Sequence, residues 1–283
     1  MLSAWLLATR PKTLPAALAP VLAGTALAAG VGAWRLDLAL GCLAGAMLLQ
    51  IGCNFANDAG DALRGADTPD RLGPPRAVAS GLISPRAMLT GAALALLLAA
   101  VVGAWLASQS GWQLWILGGA SVIAALAYTL GPLPLAYVGL GDLFVLLFFG
   151  FAAVLGAAWV QHPAWPLPLA WWAVAAGVGL QAVALIAINN LRDIPTDARS
   201  GKRTLAVRLG DRNSRLYHLL LHLGAAAAWW YGGCPAAAGL ALGGGTALAV
   251  LVWRSDGRAL NRCLGLAALL QLATAATSLG RGA

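Results

Sequence analysis

The sequence predicts an all-α, polytopic membrane protein, and three observations carry that prediction. Hydrophobic residues make up 60% of the 283-residue chain and charged residues only 10%, where a soluble domain carries about 25% charged. Mean hydropathy is +0.78. Apolar runs of about 18–22 residues, the length a spanning helix needs, recur along the whole chain.

Nine such runs are expected as transmembrane helices. The first, 13–33, follows Arg10 and Lys12 and contains Pro15 and Pro20, which packed neighbours make tolerable in a membrane helix. The second, 38–56, runs directly into the acidic stretch NFANDAGDALRGADTPDR. The spans 87–107 and 112–130 carry no charge. Spans 143–160 and 169–190 follow, the latter leading into INNLRDIPTD. Only YGGCP divides 216–234 from 235–253, and 263–280 is the last. The chain is read as one domain, 1–283.

Charge orients the bundle. With a cytoplasmic N-terminus, the segments holding Arg10 and Lys12, 57–86, 191–215 and 254–262 contain sixteen of the 18 basic residues, leaving Arg35 and Arg281 outside. That bias is the positive-inside rule, and it supports an odd number of spans. It also accounts for the net charge of +8 without a nucleic-acid partner. Cys42, Cys53, Cys234 and Cys263 have no CxxC spacing and read as small apolar residues rather than disulfides or metal ligands. The first basic residues follow the opening apolar ones, so no cleavable signal is expected. Tryptophan pairs near span ends, Trp112 with Trp115, Trp171 with Trp172 and Trp229 with Trp230, are expected at the membrane interface. His218 and His222 share an i, i+4 spacing but lack the glutamate and third ligand of a helical zinc site.

The chain has ten acidic residues, all Asp, and four of them (Asp58, Asp61, Asp67 and Asp70) lie within thirteen positions. If span two continues as a helix, Asn54, Asp58 and Asp61 share one face, with Asn57 a turn below Asp61. The second long loop begins alike, with Asn189, Asp193 and Asp197 at i, i+4 steps. The two loops are four spans apart, so they emerge on one side of the bilayer, which hints at a parallel repeat of two four-helix halves. Asp and Asn near helix ends also serve as caps, but two matched sets in a chain this poor in acids favour a site. Oxygen-only ligands suit Mg²⁺ bridged to substrate phosphates. Arg64, Arg71 and Arg76 flank the first set, and Lys202 and Arg203 the second. Carboxylates beside cations, below a channel of apolar helices, describe a site for the diphosphate of a lipid.

At these residues the chain resembles a known family. NFANDAGDALRGADTPDR and NNLRDIPTDARSGKRTLAVRLG are similar to the two aspartate-rich motifs of the UbiA superfamily of membrane prenyltransferases. ATRPKTLPAALAPVLAGTALA and YTLGPLPLAYVGLGDLFVLLFFG resemble its 1,4-dihydroxy-2-naphthoate polyprenyltransferase branch. The resemblance implies nine helices around a central cavity in the bacterial cytoplasmic (inner) membrane, with the site facing the cytoplasm. It implies transfer of a polyprenyl group from its diphosphate to 1,4-dihydroxy-2-naphthoate, with loss of the ring carboxylate, giving demethylmenaquinone. Carried over, Asp58 and Asp61 would hold Mg²⁺ from one side, and Asp193 and Asp197 from the other. Asn54, Asn57, Asn189 and Asn190 would support them, with Arg71, Lys202 and Arg203 on phosphate oxygens. Pro195 interrupts the second pair by biasing Ile194 away from helix. Arg10 and Lys12 are candidates for the acceptor carboxylate, and Tyr128 and Asp142 for a hydroxyl. A related enzyme using another acceptor, such as 4-hydroxybenzoate, is the nearest alternative. A cation-coupled transporter is a third, disfavoured by the charge-free spans.

Overall fold

The structure is a computed structural model describing residues 2–67, 71–131 and 134–279. Asp70, Arg281 and part of the YTLGPLPLAY segment lie outside the described residues. Helices α1 (Leu2–Ala8), α2 (Pro15–Ala29), α3 (Leu36–Leu63), α4 (Pro85–Ser110) and α5 (Gln113–Ala127) come first. Then follow α6 (Gly141–Gln161), α7 (Leu169–Arg192), α8 (Ile194–Arg199), α9 (Leu205–Tyr231), α10 (Pro235–Trp253) and α11 (Leu260–Thr277). No strand occurs among the described residues.

Each expected span corresponds to one helix of fifteen residues or more, but their lengths differ. Among the described residues, six helices are long and apolar enough to cross a membrane: α3, α4, α6, α7, α10 and α11, the last with the short turn before it. The windows 13–33 and 112–130 were expected to be fully helical, yet α2 and α5 are 15 residues each. At 1.5 Å per residue they reach only about 22 Å. Helix α9 starts eleven residues before its expected apolar run, with a break at Gly210, whose φ of 75° suits glycine. The YGGCP boundary is a real one, since α9 ends at Tyr231 and α10 begins at Pro235. Local chemistry sets several of the starts. Ser84 caps α4 by accepting from the Ala87 amide at 3.2 Å, with Pro85 in the first turn. Thr204 caps α9 through the Val207 amide at 3.3 Å.

The helices run alternately up and down, so the ends bearing Asp61, Tyr128, Asp142 and Asn190 meet at one polar end. Helix α3 packs on α4 as α7 packs on α9, equivalent pairs in the two halves, and α11 closes the bundle against α2, α7 and α10. Small residues permit this packing, as is usual between membrane helices. At Gly24 a Cβ would collide with the Val154 carbonyl and lie 2.8 Å from Ala157 Cβ, so α2 and α6 touch through backbone. Within α6, Leu146–Leu155 is a π-helical segment, which turns α6 differently from a plain α-helix. At the opposite, less charged end, Gln161 donates to the Arg35 carbonyl and accepts from its amide, at 3.1 and 2.7 Å.

A cavity of about 770 Å³ lies inside α2, α3, α4, α5, α6 and α7, running from Asp61 and Lys202 to Cys42, Leu106 and Val160. Cys42 and Cys53 line it, whereas Cys234 and Cys263 are buried elsewhere in the bundle. The outer faces of α4 and α5 present Leu97, Val101, Ile116 and Ile123 to the surroundings, as lipid-facing helices do. The tryptophan expectation needs correction. Trp172 and Trp230 are exposed, but Trp171 and Trp229 are core residues, and Trp229 Nε1 donates to Gln181 Oε1 at 3.1 Å. Neighbours on a helix point about 100° apart, so one member of each of these two adjacent pairs faces the core, whereas Trp112 and Trp115 are both exposed as expected. His218 and His222 are also buried, their rings 4.8 Å apart.

Replacement of Gly24 with Val should force α2 away from α6. The expected loss is on the order of 3 kcal/mol, read as a lowered melting temperature of the detergent-solubilised protein. An unchanged melting temperature would contradict this packing.

Candidate active site

The first wall of the site is the C-terminal end of α3, which continues as helix through Leu63. Its polar residues, Asn54, Asn57, Asp58 and Asp61, are all buried, so each must find a partner. Asn54 Nδ2 donates to the Thr9 carbonyl at 2.9 Å and so ties down the N-terminal segment. Asn57 Oδ1 accepts a short hydrogen bond from the Thr129 hydroxyl. Asp58 accepts the backbone amides of Ala77 and Val78, one on each oxygen, both at 3.1 Å. It thereby folds the 71–83 loop back onto α3. Asp61 accepts from Arg76 Nη2 at 3.1 Å and from the Tyr137 hydroxyl at 2.9 Å. Asp67 lies behind this pair, 2.7 Å from Arg71 Nη1 and 3.6 Å from Arg76 Nε. Burial pushes its carboxyl up to about 6, against the pull of Arg71.

The second wall begins where α7 ends. The helix is interrupted, but not at Ile194 as expected. Helix α7 stops at Arg192, the break falls on Asp193, and Ile194 is the first residue of α8, with Pro195 in that helix's first turn, where a missing amide donor costs nothing. Arg192 is buried and forks over Asp193, with Nε 2.8 Å from Oδ1 and Nη2 2.6 Å from Oδ2. It also donates to Asn189 Oδ1 and Asn261 Oδ1, both at 2.7 Å. Asn190 Nδ2 reaches Asp142 Oδ1 at 3.5 Å. Asp197 is held by the fold of α8, its amide donating to the Asp193 carbonyl at 2.8 Å. Burial pushes its carboxyl up to about 6; Lys202 opposes the shift, and the charges of Asp193 and Asp61 add to it. Asp197 therefore feels Asp61, from the other motif 136 positions earlier. The two acidic sets converge on one mouth.

Two contacts stitch the walls together. A Cβ on Gly73, in the first loop, would stand 2.8 Å from Arg192 Nη2, so the loop backbone lies close against that guanidinium. Next to it, Asn261 Nδ2 donates to the Leu72 carbonyl at 3.0 Å. Arg10 lines the mouth in the left-handed region, with φ 54°, the one such non-glycine residue among those described. A strained backbone of this kind persists where the surroundings enforce it. Burial lowers the Arg10 pKa, with Asp61 opposing. Arg10 Nη2, Arg76 Nε and Arg76 Nη1 are buried without a hydrogen bond among the described residues. Arg76 Nε has Asp67 within ion-pair range at 3.6 Å, but Arg10 Nη2 and Arg76 Nη1 are buried cationic donors in a cavity wall, and such groups call for an anion.

Of the residues anticipated from sequence, Arg10, Asn54, Asn57, Asp61, Tyr128, Asp142, Asn189, Asn190 and Lys202 line the cavity. Asp58, Asp193 and Asp197 are not part of that lining: Asp58 and Asp193 are held by the partners described, and Asp197 is buried on α8. Lys12 and Arg203 are exposed, and Arg71 turns to Asp67 and the Pro74 carbonyl. Arg76 was visible in sequence only as one of several flanking cations, and Tyr137 and Arg192 carried no signal as partners of the aspartates. A cation beside an aspartate in sequence is ordinary; its burial is what distinguishes it. Among the described residues, no three His, Cys or Asp side chains gather as a ready-made metal cage. The donor set is instead oxygen on two facing walls with cations beside it. Such a set fits a hard divalent ion that keeps its waters and is bridged by phosphate.

The family model of the UbiA prenyltransferase family matches residues 17–272. The chain is 45% identical over 231 residues to 1,4-dihydroxy-2-naphthoate octaprenyltransferase of Escherichia coli (strain K12), covering 78% of this chain and 73% of that one. It is 45% identical over 216 residues to the protein of the same name from Mycobacterium tuberculosis, covering 76% and 72%. Among solved structures, a UbiA homolog from Archaeoglobus fulgidus bound to GPP and Mg²⁺ superposes with a TM-score of 0.73 at 17% identity, over 99% of both chains. The apo UbiA homolog from Aeropyrum pernix K1 follows with a TM-score of 0.67 at 20% identity, over 95% and 96%. A shared fold, and a sequence match that includes both aspartate motifs, place this chain in the UbiA prenyltransferase family.

Proposed function

We propose that this protein is a Mg²⁺-dependent aromatic prenyltransferase. It joins the polyprenyl group of an isoprenoid diphosphate to 1,4-dihydroxy-2-naphthoate, releasing diphosphate and carbon dioxide. One observation carries the reading: two acidic walls, with unsatisfied Arg10 and Arg76 between them, open onto a cavity lined by apolar helices. That shape matches a ligand with a charged head and a hydrocarbon tail. The relatives named for the same transfer support the choice of acceptor.

When bound, Mg²⁺ would supply charge neutralisation to the departing diphosphate. Asp58, Asp61, Asp193 and Asp197 are the residues we assign to hold it. Prior partners do not disqualify them, since an ionised carboxylate has about four acceptor positions. Asn54, Asn57, Asn189 and Asn190 keep the two walls in register. Lys202, Arg76 and Arg10 face the anion, and Arg71 and Arg203 stand at the rim. The carbon–oxygen bond to the prenyl group breaks, and its electron pair leaves with the diphosphate. Electrostatic stabilisation where that charge develops is the main catalytic effect. The ring carbon bearing the carboxylate then forms the new carbon–carbon bond. Its carboxylate departs as carbon dioxide, and the freed electron pair restores the aromatic ring. No proton has to be removed from that carbon, so no strong base is needed. The product at this point is the quinol form of demethylmenaquinone.

Arg10 and Lys12 are our candidates for the acceptor carboxylate and Tyr128 and Asp142 for its hydroxyls. Arg10, Tyr128 and Asp142 share the cavity wall; Lys12 would act from its rim. Ala152, Ala153 and Phe148 continue that wall and exclude water, which would capture the allylic cation. The excess of Lys and Arg at this end supports a cytoplasmic mouth in a bacterial inner membrane, and a family match over 17–272 supports a single domain.

The test uses membranes containing the protein, supplied with a polyprenyl diphosphate and 1,4-dihydroxy-2-naphthoate. Prenylated product should form with Mg²⁺ and disappear with a chelator. Transfer to 4-hydroxybenzoate alone would overturn the choice of acceptor. Asp61→Asn and Asp193→Ala should each lower kcat at least ~100-fold while the protein remains inserted; near-full turnover in either would refute the metal assignment. Arg76→Met should raise KM for the diphosphate about tenfold or more, as expected on losing a charge-assisted contact, and an unchanged KM would remove Arg76 from the site.

A further inference from the structure

Tyr137 is used by none of the steps above, yet it touches both acidic walls at once. Its hydroxyl donates to Asp61 Oδ1 at 2.9 Å. Lys202 Nζ lies 5.2 Å from the centre of its ring, within cation–π range. Its carbonyl accepts the Arg203 amide at 2.9 Å, and its amide donates to the Pro134 carbonyl at the same distance. The residue thus spans from the end of α3 to the segment after α8, although it belongs to neither.

The surroundings hold it in that position. Arg64 lies over the same ring at 5.6 Å and is itself fixed by the carbonyls of Thr129 and Gly131, each 2.6 Å away. Two residues on, Gly139 has φ 82°, and a Cβ there would stand 2.9 Å from the Arg203 carbonyl. Arg208 Nη2 donates to the Val138 carbonyl at 2.8 Å. The loop 134–140 is therefore laid onto the second motif by backbone contacts, with Tyr137 as the side chain that reaches across to the first.

We propose that Tyr137 is a positioning residue coupling the two walls: its hydroxyl orients Asp61 for the metal, and its ring seats the Lys202 ammonium toward the diphosphate. The proposal rests on the metal–diphosphate reading above. The two roles separate chemically, because phenylalanine keeps the ring and loses the hydroxyl, while leucine loses both. A residue that orients a metal ligand typically governs 10–100-fold in metal affinity.

The test is binding of inorganic diphosphate to the full detergent-solubilised chain, by titration calorimetry with and without Mg²⁺, after checking that each variant elutes as one species. Tyr137→Phe should lose about tenfold or more of the Mg²⁺-dependent gain in affinity and keep the metal-free affinity of the parent. Tyr137→Leu should weaken both. Without metal, Tyr137→Leu combined with Lys202→Met should bind no more weakly than Lys202→Met alone. A Tyr137→Phe protein with the full Mg²⁺ gain, or losses that add in the double variant, would overturn the proposal. Asp61→Asn separates the two levels. If it keeps the full Mg²⁺ gain, the metal reading fails and this proposal with it; if it loses the gain while Tyr137→Phe does not, the role of Tyr137 alone fails.

Discussion

Arg192 is the interaction on which the rest of the mouth depends. Its fork satisfies both oxygens of Asp193, and its remaining donors reach Asn189 and Asn261. The backbone of Gly73 lies against the same guanidinium. One buried cation therefore joins the end of α7, the start of α11 and the first long loop. A charged group at this depth cannot remain without a partner, so the three segments are held to one arrangement. Arg192 thus fixes the second wall directly and sets the first long loop beside it through Gly73.

The same constraint explains how the carboxylates are distributed. Asp58, Asp61 and Asp193 are each given donors to both carboxylate oxygens. Asp58 takes amides from the loop behind it, and Asp67 sits between Arg71 and Arg76. Asp61 stands furthest forward, and its two partners, Arg76 and Tyr137, come from different loops. The cations are not fully used: Arg10 Nη2 and Arg76 Nη1 make no hydrogen bond among the described residues. Most of the buried negative charge is thus met by donors behind the cavity, although Asp67 Oδ2 is left without a hydrogen bond among those residues, while Arg10 and Arg76 line the void. An anion entering the mouth meets cations already desolvated and oriented, which is what electrostatic preorganisation requires.

Much of this was legible in the sequence, for identifiable reasons. Hydropathy reports transfer from water to lipid, a property of each segment alone, so the membrane runs stand out without knowledge of their neighbours. The shortness of α2 and α5 did not, because helix ends are set by turns and packing rather than by apolarity. The π-helical segment in α6 is equally hidden, since every residue from Leu146 to Leu155 is apolar or glycine and no periodic contrast exists. The aspartates were conspicuous by their rarity, and their i, i+3 and i, i+4 spacing spoke of a shared helix face. Tyr137 and Arg76 could not be chosen in advance, as their partners are brought near only when loops cross. Trp171 and Trp229 show the limit of composition: an aromatic pair at a span end says interface, and the helix face decides which member obeys.

The two thiols on α3 give this cavity a built-in gauge. Cys53 and Cys42 look into the same void from one helix, eleven residues apart, which is roughly 16 Å of depth. Cys234 and Cys263 are buried in other parts of the bundle and stay silent to a reagent diffusing down the channel. A hydrocarbon chain that descends past the upper sulfur but stops short of the lower one would shield the first and leave the second open to alkylation. The length of tail that this protein houses can therefore be read by mass spectrometry from its own native residues, with no engineered label.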